Sequence, residues 1–171
     1  MFDAIVEAAA AESPLWGEAA LSVESQLRER VFSTLAPAEH ALGLETIYEG
    51  YLVHYGRSRL FAPGDRDAAL LLGDYLYAHG LVYVAGTGDV AAVADLAELI
   101  SLCAQSRAEG RDGDGEAWAA TSASLGAGAL ELARAALRER GDASVLDAVA
   151  RRAAGDSEVD AALAAHARLV L

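Results

Sequence analysis

Apolar positions recur at helical spacing along almost the whole chain. Phe2 to Glu12 reads as a first helix. Ser13 then offers a cap and Pro14 a first helical position, so a second helix is expected. Trp16, Ala20, Val23, Leu27 and Val31 follow at spacings of three and four and extend that helix toward Val31 on one apolar face. Pro37 breaks the pattern, and a third helix is expected from about Ala38 to Tyr55. The stretch "GRSRLFAPGDRD" has the Gly, Pro and charge of a loop. Ala68 to Ala85 is apolar nearly all round, which predicts a central, buried helix. Asp89 is placed to cap the next helix, running to about Glu109. "EGRDGDGE" is the clearest break, and a sixth helix is expected from Ala117 to Arg140, stopped by Gly141. Shorter helices near Ala143–Ala153 and Ser157–Val170 close the chain.

The pattern predicts an all-α fold: one helical bundle of about seven to eight helices. Residues 1–36 form its N-terminal helices, 37–109 its core and 116–171 its C-terminal part. A length of 171 residues, 54% of them hydrophobic, suits a single domain with a real core.

Charge narrows the function. The net charge is −13, every basic side chain is arginine, and lysine and asparagine are absent. Such a surface repels phosphate backbones and argues against nucleic acid as partner. No lysine chemistry is open to this chain. The single cysteine, Cys103, excludes an internal disulfide and reads as a buried structural thiol. The amino terminus lacks the basic region of a signal peptide, and no uninterrupted apolar run reaches the roughly 18 residues of a membrane span. A cytoplasmic protein without a transmembrane segment is the expectation.

Candidate chemistry is sparse. Asp112, Asp114 and Glu116 alternate as in a calcium loop, but Ala117 and Ala123 stand where such a loop needs glycine and a bidentate acid. Asp156 and Asp160 share a helix face in "DSEVD" and read either as magnesium ligands or as an acidic first turn. The four histidines show no ligand spacing. One segment stands out. "YEGYLVHYGRSRLF" gathers Tyr48, Tyr51, His54, Tyr55, Arg57 and Arg59 within a dozen residues.

Two lines of sequence carry a family resemblance. Gly73-Asp74-Tyr75-Leu76-Tyr77-Ala78 and Leu96-Ala97-Glu98-Leu99-Ile100 are similar to paired helices of the polyprenyl diphosphate synthases. Upstream, Leu44, Glu45, Ile47, Leu52, Val53 and His54 fall in register with the family helix that ends in its first Asp-rich motif. Tyr55 and Gly56 then stand in place of the first two aspartates, and Arg59 in place of the last. The resemblance implies a helical core of the isoprenoid synthase type that lacks the magnesium-holding carboxylates. Those carboxylates would stabilise a departing diphosphate.

The same resemblance implies that Tyr51, with Tyr48 beside it, occupies the family's elongation tunnel. The tyrosines then either pack a closed core or line a smaller remnant pocket. That pocket would be gated by His54 and Tyr55, with Arg57, Arg59, Asp74 and Tyr77 around it. The expected function is that of a catalytically inactive partner subunit in isoprenoid biosynthesis. It would form a homodimer, or a heteromer with a catalytic prenyl synthase, and need no cofactor. A stand-alone isoprenoid- or lipid-binding protein is the alternative. So is a divergent magnesium-dependent prenyltransferase recruiting Asp74, Asp156, Asp160 or Glu45.

Overall fold

The computed structural model describes residues 1–170 and is all-helical over them. Nine α-helices run in order: α1 (Phe2–Glu12), α2 (Pro14–Glu18), α3 (Ala41–Tyr55), α4 (Arg66–Ala85), α5 (Val90–Ala108), α6 (Asp114–Ala123), α7 (Glu131–Arg140), α8 (Ser144–Ala154) and α9 (Asp156–Ala167). Local signals set several of their ends. Ser13 Oγ accepts the Leu15 N–H at the start of α2, with Pro14 in the first helical position. Asp89 Oδ1 accepts the Ala92 N–H at the start of α5. Gly141 ends α7 in the left-handed conformation at φ +69°.

α3 and α4 pack as an antiparallel pair on glycines. Gly43 faces Gly80, and Gly50 faces Gly73. A Cβ on Gly50 would stand 2.9 Å from the Gly73 carbonyl oxygen, so the two backbones approach to a distance only glycine allows. α1 lies over the other side of α4, where Ile5, Ala9, Leu60, Phe61, Leu72 and Leu76 form a small core and Trp16 stacks on Tyr75 at 4.4 Å. The main core joins α3 to α5, α6, α8 and α9.

Three sequence expectations are corrected. First, the second helix stops at Glu18 instead of reaching Val31. Residues 19–40 run irregularly, with short 3-10 turns at Val23–Ser25, Phe32–Thr34 and Ala38–His40. The backbone here is claimed by the loop after α3: Leu21 N–H bonds Leu60 O, Leu27 N–H bonds Arg59 O, and Ala62 N–H bonds Ala19 O. A helix would forfeit all three.

Second, Ala117 to Arg140 is two helices, α6 and α7. Gly126, at φ +78°, sits between them and donates its N–H to Asp95 Oδ2 at 3.0 Å. Third, α4 is not central. Its Leu71 and Val82 are 58% and 64% exposed. The helices buried nearly all round are α3 and α6. α6 reads "DGEAWAATSA", and its small side chains admit neighbours on every side. By length and composition α4 is the one described helix in the range of a membrane span, although Asp74 and His79 interrupt it; in this fold it packs along α3 as an element of the bundle.

Candidate functional site

The tyrosine-rich segment occupies the end of α3 and the loop beyond it, and its residues reach four different surroundings. Tyr48 and Tyr51 point inward and are fully buried. Their rings stack at 6.0 Å and are enclosed by Phe32, Trp118 and His166. This is where the resemblance expects a tunnel, and aromatic rings fill it.

At the edge of that cluster lies a polar junction built from four helices. The Tyr51 hydroxyl donates to Asp114 at the start of α6. Arg107, near the end of α5, reaches the same carboxylate at 2.5 Å and the Tyr51 oxygen at 2.8 Å. His166 on α9 places Nδ1 2.9 Å from the Tyr48 hydroxyl and Nε2 3.8 Å from Asp114 Oδ1. That second separation is electrostatic contact rather than a hydrogen bond. Burial alone would raise the Asp114 carboxyl. His166, the Tyr51 hydroxyl and the Arg107 guanidinium outweigh it and hold Asp114 well below the usual carboxylate range. Burial, with Asp114 beside it, pushes the Tyr51 phenol far up, and burial pushes up Tyr48 and the Cys103 thiol as well. Near neutral pH the phenols and the thiol stay protonated and the carboxylate stays charged and bonded. The junction ties α3, α5, α6 and α9 together and presents no activated nucleophile.

His54, Tyr55, Asp74 and Tyr77 meet at the seam of α3 and α4. His54 stacks on Tyr77 at 5.1 Å, and its Nε2 lies 3.2 Å from Asp74 Oδ1 without the alignment of a hydrogen bond. Burial lowers the basicity of His54, and Asp74 offsets part of that. The imidazole also lies against Gly73, where a Cβ would come within 2.4 Å of it.

Arg59 turns into the protein and is buried completely. It pairs with Glu45 at 2.7 Å and Glu49 at 2.9 Å, and donates to the Glu29 carbonyl at 2.6 Å. Glu49 Oε1 also accepts the backbone N–H groups of Arg59 and Leu60, and Glu45 accepts that of Val31. Arg57 alone of the segment stays exposed at the surface.

The magnesium that a divergent prenyltransferase would need finds no fitting donor set among the described residues. Tyr55, Gly56 and Arg59 supply no carboxylate, and Glu45 and Glu49 are committed to Arg59. Asp160 and Asp156 lie 2.8 and 3.7 Å from the Arg151 guanidinium, which occupies the face they share. Among the described residues no group of three His, Cys, Asp or Glu side chains is placed to hold a metal ion.

Sequence singles out Asp114 only as one of the alternating acids of a calcium-like loop, and does not connect it with Arg107 or His166. They sit on three different helices, and no local spacing connects them. Asp114 reads from sequence as part of a solvated break, yet it opens α6 and is buried. No family model, no curated protein and no solved structure matches the chain.

Proposed function

We propose that this chain is a non-catalytic partner subunit in isoprenoid biosynthesis, related in its core to the polyprenyl synthases and associating with a catalytic chain of that type. The observation that carries the reading is the placement of α4. The helix that bears the synthase-like Gly73–Ala78 stretch turns an apolar stripe outward: Leu71, Ala78, Val82 and Ala85 are exposed. A chain with 26 acidic residues leaves this stripe almost uncharged, with Asp74 the single acid on it between Leu71 and Ala85 and Asp67 bordering it one turn earlier. Exposed apolar helix faces of this kind are commonly covered by another chain. The absence of carboxylates at Tyr55, Gly56 and Arg59 supports a scaffolding role rather than turnover.

The test is co-expression with a catalytic prenyl synthase from the same cell, followed by size-exclusion chromatography with light scattering and assay of chain elongation. A complex with altered activity or product length is expected. The double variant Leu71→Glu/Val82→Glu should abolish the complex, while Leu132→Glu on α7 should not. Self-association alone would remove the heteromer reading.

A further inference from the structure

We propose that the groove between residues 21–27 and the loop after α3 binds a small amphipathic anion, a single acidic head on a short apolar tail. The groove has a volume of about 670 Å³, within the usual range for small-molecule sites of about 300–1,000 Å³. Its apolar wall includes Leu21, Leu27, Val53, Phe61 and Pro63. Leu27 remains 38% exposed there, although the fold buries most of its leucines. No Asp or Glu lines the groove among the described residues, in a chain that carries 26 of them.

The cationic contribution is Arg57. Nine of the thirteen arginines are in ion pairs with carboxylates. Among the described residues Arg57, Arg66 and Arg152 have neither an ion pair nor a side-chain hydrogen bond, and Arg57 is the one of the three that lines this groove. Its backbone is anchored, since its N–H donates to the Leu169 carbonyl at 2.7 Å. The second arginine of the lining, Arg59, is already neutralised by Glu45 and Glu49. The head group is therefore taken by Arg57, with the Ser25 hydroxyl on the facing wall, and the tail lies along Leu27, Val53 and Phe61. A guanidinium gives an oxyanion charge-assisted hydrogen bonds. The net charge of −13 disfavours docking on an anionic bilayer, so the ligand is a free amphiphile. This inference does not rest on the partner-subunit reading, because it concerns the isolated chain and a groove that α4 does not line.

Isothermal titration of the purified chain tests it, with octyl phosphate, inorganic phosphate and octanol as separate probes. Octyl phosphate is expected to bind one to one, at least fivefold more tightly than either of the other two. Arg57→Ala should weaken octyl phosphate at least fivefold, and Arg152→Ala less than fivefold. Circular dichroism confirms the fold of each variant. If Arg57→Ala does not fold, Ser25→Trp, which fills the groove from the other wall, carries the same fivefold criterion. Absence of saturable binding by octyl phosphate overturns the proposal. So does any of these four differences falling on the wrong side of fivefold. Binding to vesicles containing phosphatidylglycerol with no binding of octyl phosphate overturns it in favour of a membrane surface.

Discussion

Arg59 shows how one side chain can organise a loop. Its guanidinium ends between two glutamates of α3, and the loop amides around it close onto the same carboxylates. Removing one partner of a buried ion pair costs about 3–5 kcal/mol, because the remaining charge is left without compensation. Arg59→Ala leaves two such glutamates and should destabilise the protein by at least that range, read as a lower midpoint in urea unfolding.

Asp114 makes a second residue-scale prediction. An unfolded aspartate titrates near pH 3.9, and the folded Asp114 lies below that. Its contribution to stability is complete above the unfolded value and is lost as pH falls through the folded one. Asp114→Asn should lower the melting temperature at pH 7, and its gap from the wild type should narrow steadily between pH 5 and pH 2. A gap independent of pH would assign Asp114 a packing role only. Of these features, the concentration of tyrosines and arginines was legible in the sequence and their sorting was not. Tyr48, Tyr51, Arg57 and Arg59 lie within twelve positions, yet the fold sends two into an aromatic core, one to a groove and one into a salt bridge.

At the scale of elements, the α3–α4 pair depends on close backbone contact. In an exposed helix, Gly to Ala stabilises by roughly 1 kcal/mol. Gly50→Ala should do the opposite, because its Cβ would meet the Gly73 carbonyl oxygen at 2.9 Å and Leu76 at 3.1 Å. Backbone atoms do not yield as a flexible side chain would, and overpacking costs typically about 1–3 kcal/mol. Thermal unfolding gives the sign. A Gly50→Ala protein as stable as the wild type would mean that the helices separate without cost.

Sequence reading placed α1, α3, α4, α5, α8 and α9 within a few residues, because apolar spacing and Gly or Pro breaks are local. It overran the second helix and fused α6 with α7. The reasons are again non-local: the loop at Arg59 takes the backbone of residues 21–27, and Asp95 takes the amide of Gly126. Asp95 also pairs with Arg134 at 3.0 Å, so the break and α7 are pinned by one carboxylate of α5.

For the whole molecule, the question is which surface is left for a partner. α4 contributes one side to α3, another to α1, and turns a third outward. Because Leu71 and Val82 are exposed in the single chain, the Leu71→Glu/Val82→Glu variant should fold with stability within about 0.5 kcal/mol of the wild type, while losing the proposed association. A large fall in its melting temperature would mean that this face is structural, and loss of association would then carry no weight.

The sequence by itself determined the all-α class, most helix ends and the absence of lysine. Those follow from composition and from interactions spanning a few residues. It also established that Tyr55, Gly56 and Arg59 hold no carboxylates. Tertiary structure alone decided that α6 rather than α4 is enclosed, that Tyr51, Arg107, Asp114 and His166 share one junction, and that Arg57 faces a groove free of acid. Burial and pairing depend on which surfaces meet, and those meetings join residues up to 139 positions apart.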